Sequence, residues 1–536
     1  MKKLFTGVLA AFLCVTTLAG CSSNKEADKG KEKVINIAAE KGGNLDTKFD
    51  YVWVNNGELY KELVFRHLFK ADSTLTKVSP DLAKSYKLSD DGLTLTIEMN
   101  DGLKWSDGEP LTADDVKWSM ETILKAALAN GIYTSAFSNI QGADDWKSGK
   151  ADSLKGITVD GSTLTIKFDH KVGNIMNVLA QFVILPKHCL EKSDPLQLHN
   201  DPYWEKPVTD GMYKIGDFQP GNYIELIRDD NYNGEKPKID KVIVNIVGDA
   251  LTAAQSGKSD FMKSNSPGMI EELNKIDGYK SFSVDTLFYR YFIVNYEDAN
   301  GKKNEKMADP RVREAIMYAI NRKELIDKLY PDLGVVSNAG VPEGYNGYDK
   351  DLNQYEYNPD KAKKLLKEAG WDFNEPLKII YYYGDQTSID FINAVTQYLT
   401  EVGMKVDAVK ITGDSTTALF SVKNYDIALK GLSAFGFEEY YGEYTSQNAN
   451  FKNIFGKTGD FDDLYNQLVA ETDQAKRAEI LKKLQVQEQK DLFKLPMYTL
   501  KNKIFVNTNH IVLPDGITFG NPWYSYDKQF EKWDVK

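Results

Sequence analysis

The chain has 536 residues, of which 42% are hydrophobic and 27% charged, and a formal net charge of −12 at pH 7. These proportions are those of a globular protein and exclude a disordered or fibrous chain. The length predicts roughly two to four domains. The acidic balance, with no Lys/Arg cluster beyond the first few residues, argues against nucleic acid as a partner.

The amino terminus has the pattern of a secretory signal. MKKLFTGVLAAFLCVTTLAGC begins with two lysines, continues with a short apolar stretch and ends with small residues before Cys21. The apolar stretch is too short for a stable membrane-spanning helix. Leu18-Ala19-Gly20-Cys21 resembles the bacterial lipobox, which implies that residues 1–21 are a lipoprotein signal and that Cys21 is lipidated. The alternative is an ordinary signal peptide with a chance cysteine.

Residues 22–33 are polar or charged and have no periodicity, which predicts a flexible tether between an anchor and a folded body. No later segment has the length needed to cross a bilayer. Of the three cysteines, only Cys189 remains outside the signal and the proposed anchor, so we expect no internal disulfide.

The first half of the folded body reads as mixed strands and helices. Val34 opens a short apolar strand, and residues 92–105 and 162–169 alternate apolar and polar side chains as antiparallel strands do. Between them, Thr112 and Asp115 have the spacing of a capping box and predict the start of a helix. Further strands are predicted at 223–230, 241–248 and 289–297.

The second half alternates helix and strand. Asp309-Pro310 and Asn358-Pro359 each predict a helix with proline at its first position. PLKIIYYYG, SIDFINAVTQYLTEVG, MKVDAVKI, a short helix near 415–422 and YDIALKGL then make a βαβαβ pattern. Such a pattern predicts a parallel sheet with helices on its faces. KLPMYTLKNKIFVN closes this half with strands.

The stretch GLSAFGFEEYYGEY after the strand YDIALKGL suggests catalysis at first sight. Gly431-Leu432-Ser433 hints at a nucleophile elbow, but Phe435 stands where the second glycine is required, and His510 is the single histidine downstream. Glu438 and Glu439 are adjacent, so on an extended chain they would face opposite sides and could not flank one scissile bond. Catalytic residues are therefore not expected.

Metal ligation is not expected either. The five histidines include no helical pair at i, i+4, and the nearest two, His188 and His199, flank a proline-containing loop. We therefore expect neither a structural zinc nor a histidine-bound nickel site, and no cofactor.

Several long motifs carry a family resemblance. Residues 82–123, with Trp-Ser-Asp-Gly-Glu-Pro-Leu-Thr-Ala-Asp-Asp-Val at their centre, resemble the signature region of the extracellular solute-binding proteins, family 5. SGKSDFM at 256–262, DPRVREAIMYAINRKELI at 309–326 and YNPDKAKKLLKEAGW at 357–371 resemble later segments of that family, in its order. Its members include the oligopeptide-, dipeptide- and nickel-binding receptors of ABC importers.

The resemblance implies a two-lobed, three-domain fold like that of periplasmic binding proteins (type II, with the extra domain), built from α/β and α+β parts. The first domain would be discontinuous, made of residues 34–60, 186–288 and 505–536. Residues 61–185 would form the inserted second domain and residues 289–504 the α/β third domain.

The resemblance also implies a function. The chain would be a monomeric, lipid-anchored receptor on the outer face of the cell membrane, in a Gram-positive bacterium, and not an enzyme. It would capture short peptides between its lobes and deliver them to the permease subunits of an ABC importer. One alternative keeps the fold and changes the ligand to an oligosaccharide or another non-peptide solute. A remote alternative is an extracellular hydrolase.

Open α/β sheets bind ligands beyond the carboxyl ends of their strands, where the loop after Leu432 falls. In peptide receptors of the family this loop carries an Asp that holds the peptide's amino terminus, and this chain has no Asp there. Either Glu438 or Glu439 takes its place, or the ligand has no free amine. The predicted ligand-binding residues are Ser433, Phe435, Phe437, Glu438, Glu439 and Tyr440, with Glu40, Asp46 and Asn295 as weaker candidates.

Overall fold

The structure is a computed structural model that describes residues 32–41, 44–55, 57–456 and 459–536. The predicted signal peptide, Cys21 and all but the end of the predicted tether lie outside the described residues. Within those residues, no helix is both long and apolar enough to cross a bilayer.

The strands of the described residues are numbered in chain order. They are β1 Val34–Glu40, β2 Phe69–Ala71, β3 Val78–Pro80, β4 Ala83–Leu88, β5 Thr94–Met99, β6 Ile157–Asp160, β7 Thr163–Lys167, β8 Tyr213–Gln219, β9 Tyr223–Arg228, β10 Lys241–Val247, β11 Phe261–Ser264, β12 Tyr279–Val294, β13 Gly334–Val336, β14 Pro376–Tyr381, β15 Lys405–Lys410, β16 Ile427–Ser433, β17 Lys494–Asn507, β18 Ile511–Val512 and β19 Asp534–Val535.

The α-helices are numbered in the same way. They are α1 Leu59–Val64, α2 Ala113–Ile123, α3 Gly131–Phe137, α4 Ala143–Lys147, α5 Ile175–Leu179, α6 Lys187–Leu190, α7 Ala250–Gln255, α8 Pro267–Leu273, α9 Glu305–Ala308, α10 Pro310–Ala319, α11 Arg322–Leu329, α12 Pro359–Glu368, α13 Gln386–Glu401, α14 Ser415–Thr417, α15 Phe437–Gly442, α16 Ala449–Phe455, α17 Asp462–Ala470 and α18 Gln474–Asp491.

One large sheet runs through most of the protein, in the order β15-β14-β16-β12-β17-β11-β1-β10-β9-β8, with β13 also paired to β17. We call β14, β15, β16 and the helices packed on them lobe 2, and β1 with β8 to β11 lobe 1. Strands β12 and β17 are long enough to belong to both lobes, since β17 pairs with β11 near its carboxyl end and β12 pairs with β16 near its own.

The strand directions decide where a ligand can bind. Strand β16 ends at Ser433, which pairs with Phe288, and Phe288 pairs with Leu500 of β17. Strand β11 runs the other way and ends at Ser264, which pairs with Lys503 of β17. The carboxyl ends of the two lobes' strands therefore point towards the same short stretch of β17, from Leu500 to Lys503.

An irregularity marks this meeting point. The β12–β17 ladder shifts register between Asp285 and Phe288, and Leu287 has a φ of 47°, an uncommon left-handed conformation for leucine. The hydroxyl of Tyr440 donates a hydrogen bond to the Leu287 carbonyl. The change from lobe 1 to lobe 2 thus coincides with a bulge that contacts α15.

A smaller sheet of four strands, β4-β5-β7-β6, lies within residues 83–167. Its central strands, β5 and β7, bury alternate side chains, as their period-two sequences predict. Helix α2 begins with the predicted capping box, in which the Thr112 amide donates to Asp115 Oδ2 at 2.8 Å. The predicted boundaries of the three domains stay a prediction.

The predicted βαβαβ unit is present: β14 pairs in parallel with both β15 and β16, and α13 connects β14 to β15. The strand predicted at 289–297 is the second part of a longer strand that begins at Tyr279. Its early residues carry more polar side chains because they lie outside the core of lobe 2, so the apolar pattern alone did not include them.

Candidate functional site

A cavity of about 1050 Å³ lies at the carboxyl ends of β1 and β11. These two strands are parallel neighbours, joined at Ile37 and Phe261, and the cavity occupies the position where parallel strands place ligands. Polar or aromatic side chains contribute much of its wall: Glu40, Asp50, Tyr51, Asn55, Glu58, Tyr60, Lys61, His199, Asn200, Lys263, Ser264, Asn265, Ser266, Asn502 and Trp523.

Most of the charged groups in the wall are paired with one another. Lys263 Nζ lies 2.6 Å from Glu58 Oε1 and 4.0 Å from the centre of the Trp523 ring. Lys61 Nζ lies 3.0 Å from Asp50 Oδ2. Because these charges are compensated inside the protein, the wall presents fixed dipoles to a ligand more than it presents net charge.

Two buried polar atoms in the wall have no hydrogen-bond partner among the described residues: Asn502 Oδ1 and the Tyr51 hydroxyl. Asn502 is 2% exposed and Tyr51 is 5% exposed. Burial raises the pKa of Tyr51, so its hydroxyl stays a neutral donor. Buried polar groups in native proteins nearly always have a partner, so these two unpartnered atoms are exceptional among the residues that line the cavity.

Arg290 lies at the lobe 2 end of the same face of the large sheet. Arg290 pairs with Tyr498 of β17. Every second residue of a strand has its side chain on the same face, so Tyr498, Leu500 and Asn502 share one face of the sheet. Arg290 is 6% exposed, and its Nε and Nη1 atoms have no hydrogen-bond partner among the described residues. Its guanidinium lies 3.4 Å from the centre of the Tyr383 ring.

Arg290 is also close to the carboxyl edge of lobe 2, because it pairs with Gly431, two residues before the end of β16. With Nε and Nη1 unpartnered among the described residues, the guanidinium has hydrogen-bond donors of the kind that bind a carboxylate.

The two predicted site acids, Glu438 and Glu439, both have partners within the protein. Residues 437–442 are not an extended loop but helix α15, because Glu439 caps the helix by accepting from the Phe435 amide and, at 3.0 Å, from the Gly436 amide. Burial raises the pKa of Glu439 to about 8. Glu438 forms an ion pair with Arg477, and both of these side chains are 12% exposed.

The aromatic residues of the stretch are mainly packing residues. Phe435 is buried and meets Tyr524, a residue near the carboxyl terminus, edge to face at 4.9 Å. Phe437 is half-buried against Tyr345, and Tyr440 is 1% exposed. Ser433 is exposed at the end of β16.

The three weaker candidates lie in different places. Glu40 lines the cavity, at the end of β1. Asp46 is exposed and does not line it. Asn295 is 1% exposed, and its side-chain amide donates to the carbonyls of Lys423 and Tyr425 at 3.0 and 2.9 Å. These hydrogen bonds hold the segment that leads into β16.

Replacing Glu438 and Glu439 together by Gln is expected to lower stability, because it removes an ion pair and weakens a helix cap. Loss of a cap alone costs about 1 kcal/mol. Ligand affinity, measured by calorimetry below the unfolding transition, is expected to stay within about twofold, less than 0.5 kcal/mol. A tenfold loss of affinity would restore these acids as ligand contacts. Glu479→Gln, at an exposed position of α18, is the matched control.

Ser433 is far from a histidine that could act as its base. His510 Nδ1 lies 3.0 Å from Asp260 Oδ1, and His510 comes shortly after Asn507, which pairs with Tyr279. Ser433 pairs with Phe288, nine residues along β12 from Tyr279, which is about 30 Å of strand. The geometry therefore gives no serine hydrolase site.

Arg290, Asn502 and Tyr51 were not among the predicted site residues. Arg290 left a signal in the sequence, since it is the single charged residue within the apolar run FYRYFIV. Asn502 and Tyr51 left none, because their unpaired atoms result from how distant strands pack.

Comparison with known proteins supplies the family. The family model described as "Bacterial extracellular solute-binding proteins, family 5 Middle" matches residues 77–462, more than half of the chain. A Brucella ovis protein named for ABC transporter peptide binding is 28% identical over 375 residues, 68% of this chain. The match spans 66% of that relative's own length, just under two thirds. Oligopeptide-binding protein OppA of Lactococcus lactis subsp. cremoris is 27% identical over 471 residues, 76% of this chain and 77% of OppA.

Solved structures agree on the fold. Lactococcal OppA, complexed with an endogenous peptide in the closed conformation, matches with a TM-score of 0.74 at 22% identity and covers 94% of this chain and 100% of its own. AppA from Bacillus subtilis, in complex with a nonapeptide, matches with a TM-score of 0.71 at 22% identity and covers 94% and 99%. The predicted fold class, a two-lobed periplasmic-binding-protein-like fold, is confirmed.

The family is one of extracellular solute-binding proteins, which argues against the hydrolase alternative. The chain belongs to the bacterial extracellular solute-binding proteins, family 5, whose members are solute-binding proteins and not enzymes.

Proposed function

We propose that this protein is the receptor of an ABC importer and captures short peptides in the cavity described above. The observation that carries the proposal is the pair of unpartnered buried atoms, Asn502 Oδ1 and the Tyr51 hydroxyl, in the wall of that cavity. A peptide backbone supplies both an N–H donor for the first and a carbonyl acceptor for the second. The peptide-binding names of the relatives support the same ligand class.

The convergence of strand ends supports enclosure of the ligand between lobes. The carboxyl ends of β11 and β16 approach the same stretch of β17, and the bulge at Leu287 lies between the lobes. Closure about such a point would bring Arg290 towards the cavity and exclude water. In this proposal Arg290 binds a carboxylate of the peptide, and no acid of α15 binds its amine.

The location and partners belong to the same proposal. Cys21 carries the lipid, residues 22–33 form the tether, and the folded body lies on the outer face of the membrane of a Gram-positive bacterium. The closed receptor then delivers its peptide to the permease subunits of the importer. The lipobox pattern and the polar composition of the tether support this arrangement.

Thermal unfolding with candidate ligands tests the ligand class. A mixture of short peptides is expected to raise the melting temperature, because a ligand that binds only the folded state stabilises it. Asn502→Leu, which removes one unpartnered acceptor, is expected to reduce that rise, and Asn509→Leu, at an exposed position in the turn after β17, is the matched control. A rise with oligosaccharides and none with peptides would overturn the proposal. Mass spectrometry of co-purifying molecules then identifies the peptide.

A further inference from the structure

Three possible metal ligands meet on the surface, away from the cavity. They are Asp107, His188 and Cys189, and one ligand atom of each lies within 4.8 Å of the others. His188 Nε2 is 2.8 Å from Asp107 Oδ2. None of the three lines the cavity assigned to the peptide. The spacing of the histidines predicts no zinc site, because it includes no helical pair; this cluster instead has one histidine, its neighbour Cys189 and Asp107 from a distant turn.

The backbone on both sides of the cluster is held in place. Asp107 Oδ1 accepts from the Glu109 amide at 3.1 Å, and the neighbouring Ser106 amide donates to the Thr209 carbonyl at 2.7 Å. On the other side, the Lys187 amide at the start of α6 donates to Asp115 Oδ1 at 3.0 Å. A metal ion would therefore meet ligands whose main chain is already ordered, which lowers the entropic cost of binding.

The donor set selects a class of metal. Imidazole nitrogen, thiolate sulfur and carboxylate oxygen are the ligands of Zn²⁺ and related borderline cations, whereas Mg²⁺ and Ca²⁺ prefer oxygen alone. Zn–N and Zn–S bonds of about 2.0 and 2.3 Å put tetrahedral ligand atoms roughly 3.3–3.8 Å apart. Asp107 and His188 would have to separate by about half an ångström. Their side chains are 34% and 35% exposed, so they have room to do so.

We propose that Asp107, His188 and Cys189 form a binding site for Zn²⁺ or a cation of its class, with water as the fourth ligand. The thiol proton of Cys189 passes to solvent when the sulfur–metal bond forms. The bound ion would join the turn that contains Asp107 to helix α6, whose His188 is 81 residues further along the chain. This inference is independent of the peptide proposal.

Cobalt binding tests the site, because Co²⁺ takes zinc positions and a thiolate ligand gives it a near-ultraviolet charge-transfer band. The test uses the full chain with Cys14 and Cys21 replaced by Ser, so that Cys189 is the single thiol. One equivalent of Co²⁺ is expected to produce the band, and Zn²⁺ to displace it. Cys189→Ser is expected to abolish the band, and His188→Ala to weaken binding by about tenfold or more.

Two exposed groups serve as matched controls: His170→Ala and Glu191→Gln are expected to bind as the parent does. Zn²⁺ is also expected to slow alkylation of Cys189 in the protein with its natural residues at the three ligand positions. This measurement does not depend on whether a ligand variant folds. Absence of the charge-transfer band, an unchanged alkylation rate, or equal loss of binding in His170→Ala and His188→Ala would each overturn the proposal.

Discussion

Arg290→Gln is expected to weaken binding of a peptide with one free carboxylate by roughly ten- to a hundredfold. A charge-assisted hydrogen bond is worth about 1.5–3 kcal/mol, and 1.4 kcal/mol corresponds to a tenfold change. Arg290 is 6% exposed, and its Nε and Nη1 atoms have no hydrogen-bond partner among the described residues. The ligand that satisfies them should therefore be anionic at that point.

A double-mutant comparison separates a ligand contact from a structural role. The same peptide, amidated at its carboxyl terminus, should bind the parent protein as weakly as the acid form binds Arg290→Gln, and the variant should not distinguish the two forms. Isothermal titration calorimetry measures all four affinities. Arg311→Gln, on the exposed surface of α10, is the control. An equal preference for the acid form in parent and variant would remove Arg290 from the site.

Lys494→Met is expected to destabilise the protein by about 1.5–3 kcal/mol, because Glu443 and the Tyr440 carbonyl each lose a buried hydrogen bond from a charged donor. Lys494 is fully buried, and its Nζ lies 2.7 Å from Glu443 Oε2. Glu443 also accepts from Lys430 Nζ at 2.9 Å and from the Tyr291 hydroxyl at 2.5 Å. Urea unfolding measures the loss, and an unchanged midpoint would contradict the prediction.

The same cluster predicts a pH dependence with a definite sign. Burial alone would raise the pKa of Glu443, but Lys430 and Lys494 outweigh it and lower that pKa below its ordinary 4.5. A lowered folded-state pKa means that the stabilisation is complete above about pH 4.5 and is lost as the pH falls through the folded-state value. Glu443→Gln should therefore flatten the acid limb of the stability curve. An unchanged acid limb would show that other carboxylates control it.

Local sequence signals predicted the individual elements well. The period-two stretches became β5 and β7, the Thr112–Asp115 pair became a capping box, and Pro310 and Pro359 each begin a helix. These signals survive because each depends on side chains and backbone groups within one element, where spacing alone fixes geometry.

The local structure around the predicted binding residues was less predictable. The prediction placed these residues in a loop after β16, at the carboxyl edge of lobe 2. The structure has a helix there, because Glu439 reaches back to the Gly436 amide. Arg477, the partner of Glu438, comes from another helix 39 residues later. Only the packed structure shows that Glu438 forms an ion pair and that Glu439 caps a helix.

By itself, the sequence determined the order of strands and helices, the signal pattern before the folded body, and, through long motifs, the family. Those are local or contiguous properties. The tertiary structure alone decided that the strand ends of both lobes converge on residues 500–503. It also left buried polar atoms of Arg290, Asn502 and Tyr51 without hydrogen-bond partners in the part of the chain that the structure describes. Whether a polar atom is satisfied depends on every segment packed around it, and most of those segments are distant in the chain. For that reason the stretch 431–444 is described by its packing as the end of a strand and a capped helix, and its role in ligand binding stays a prediction.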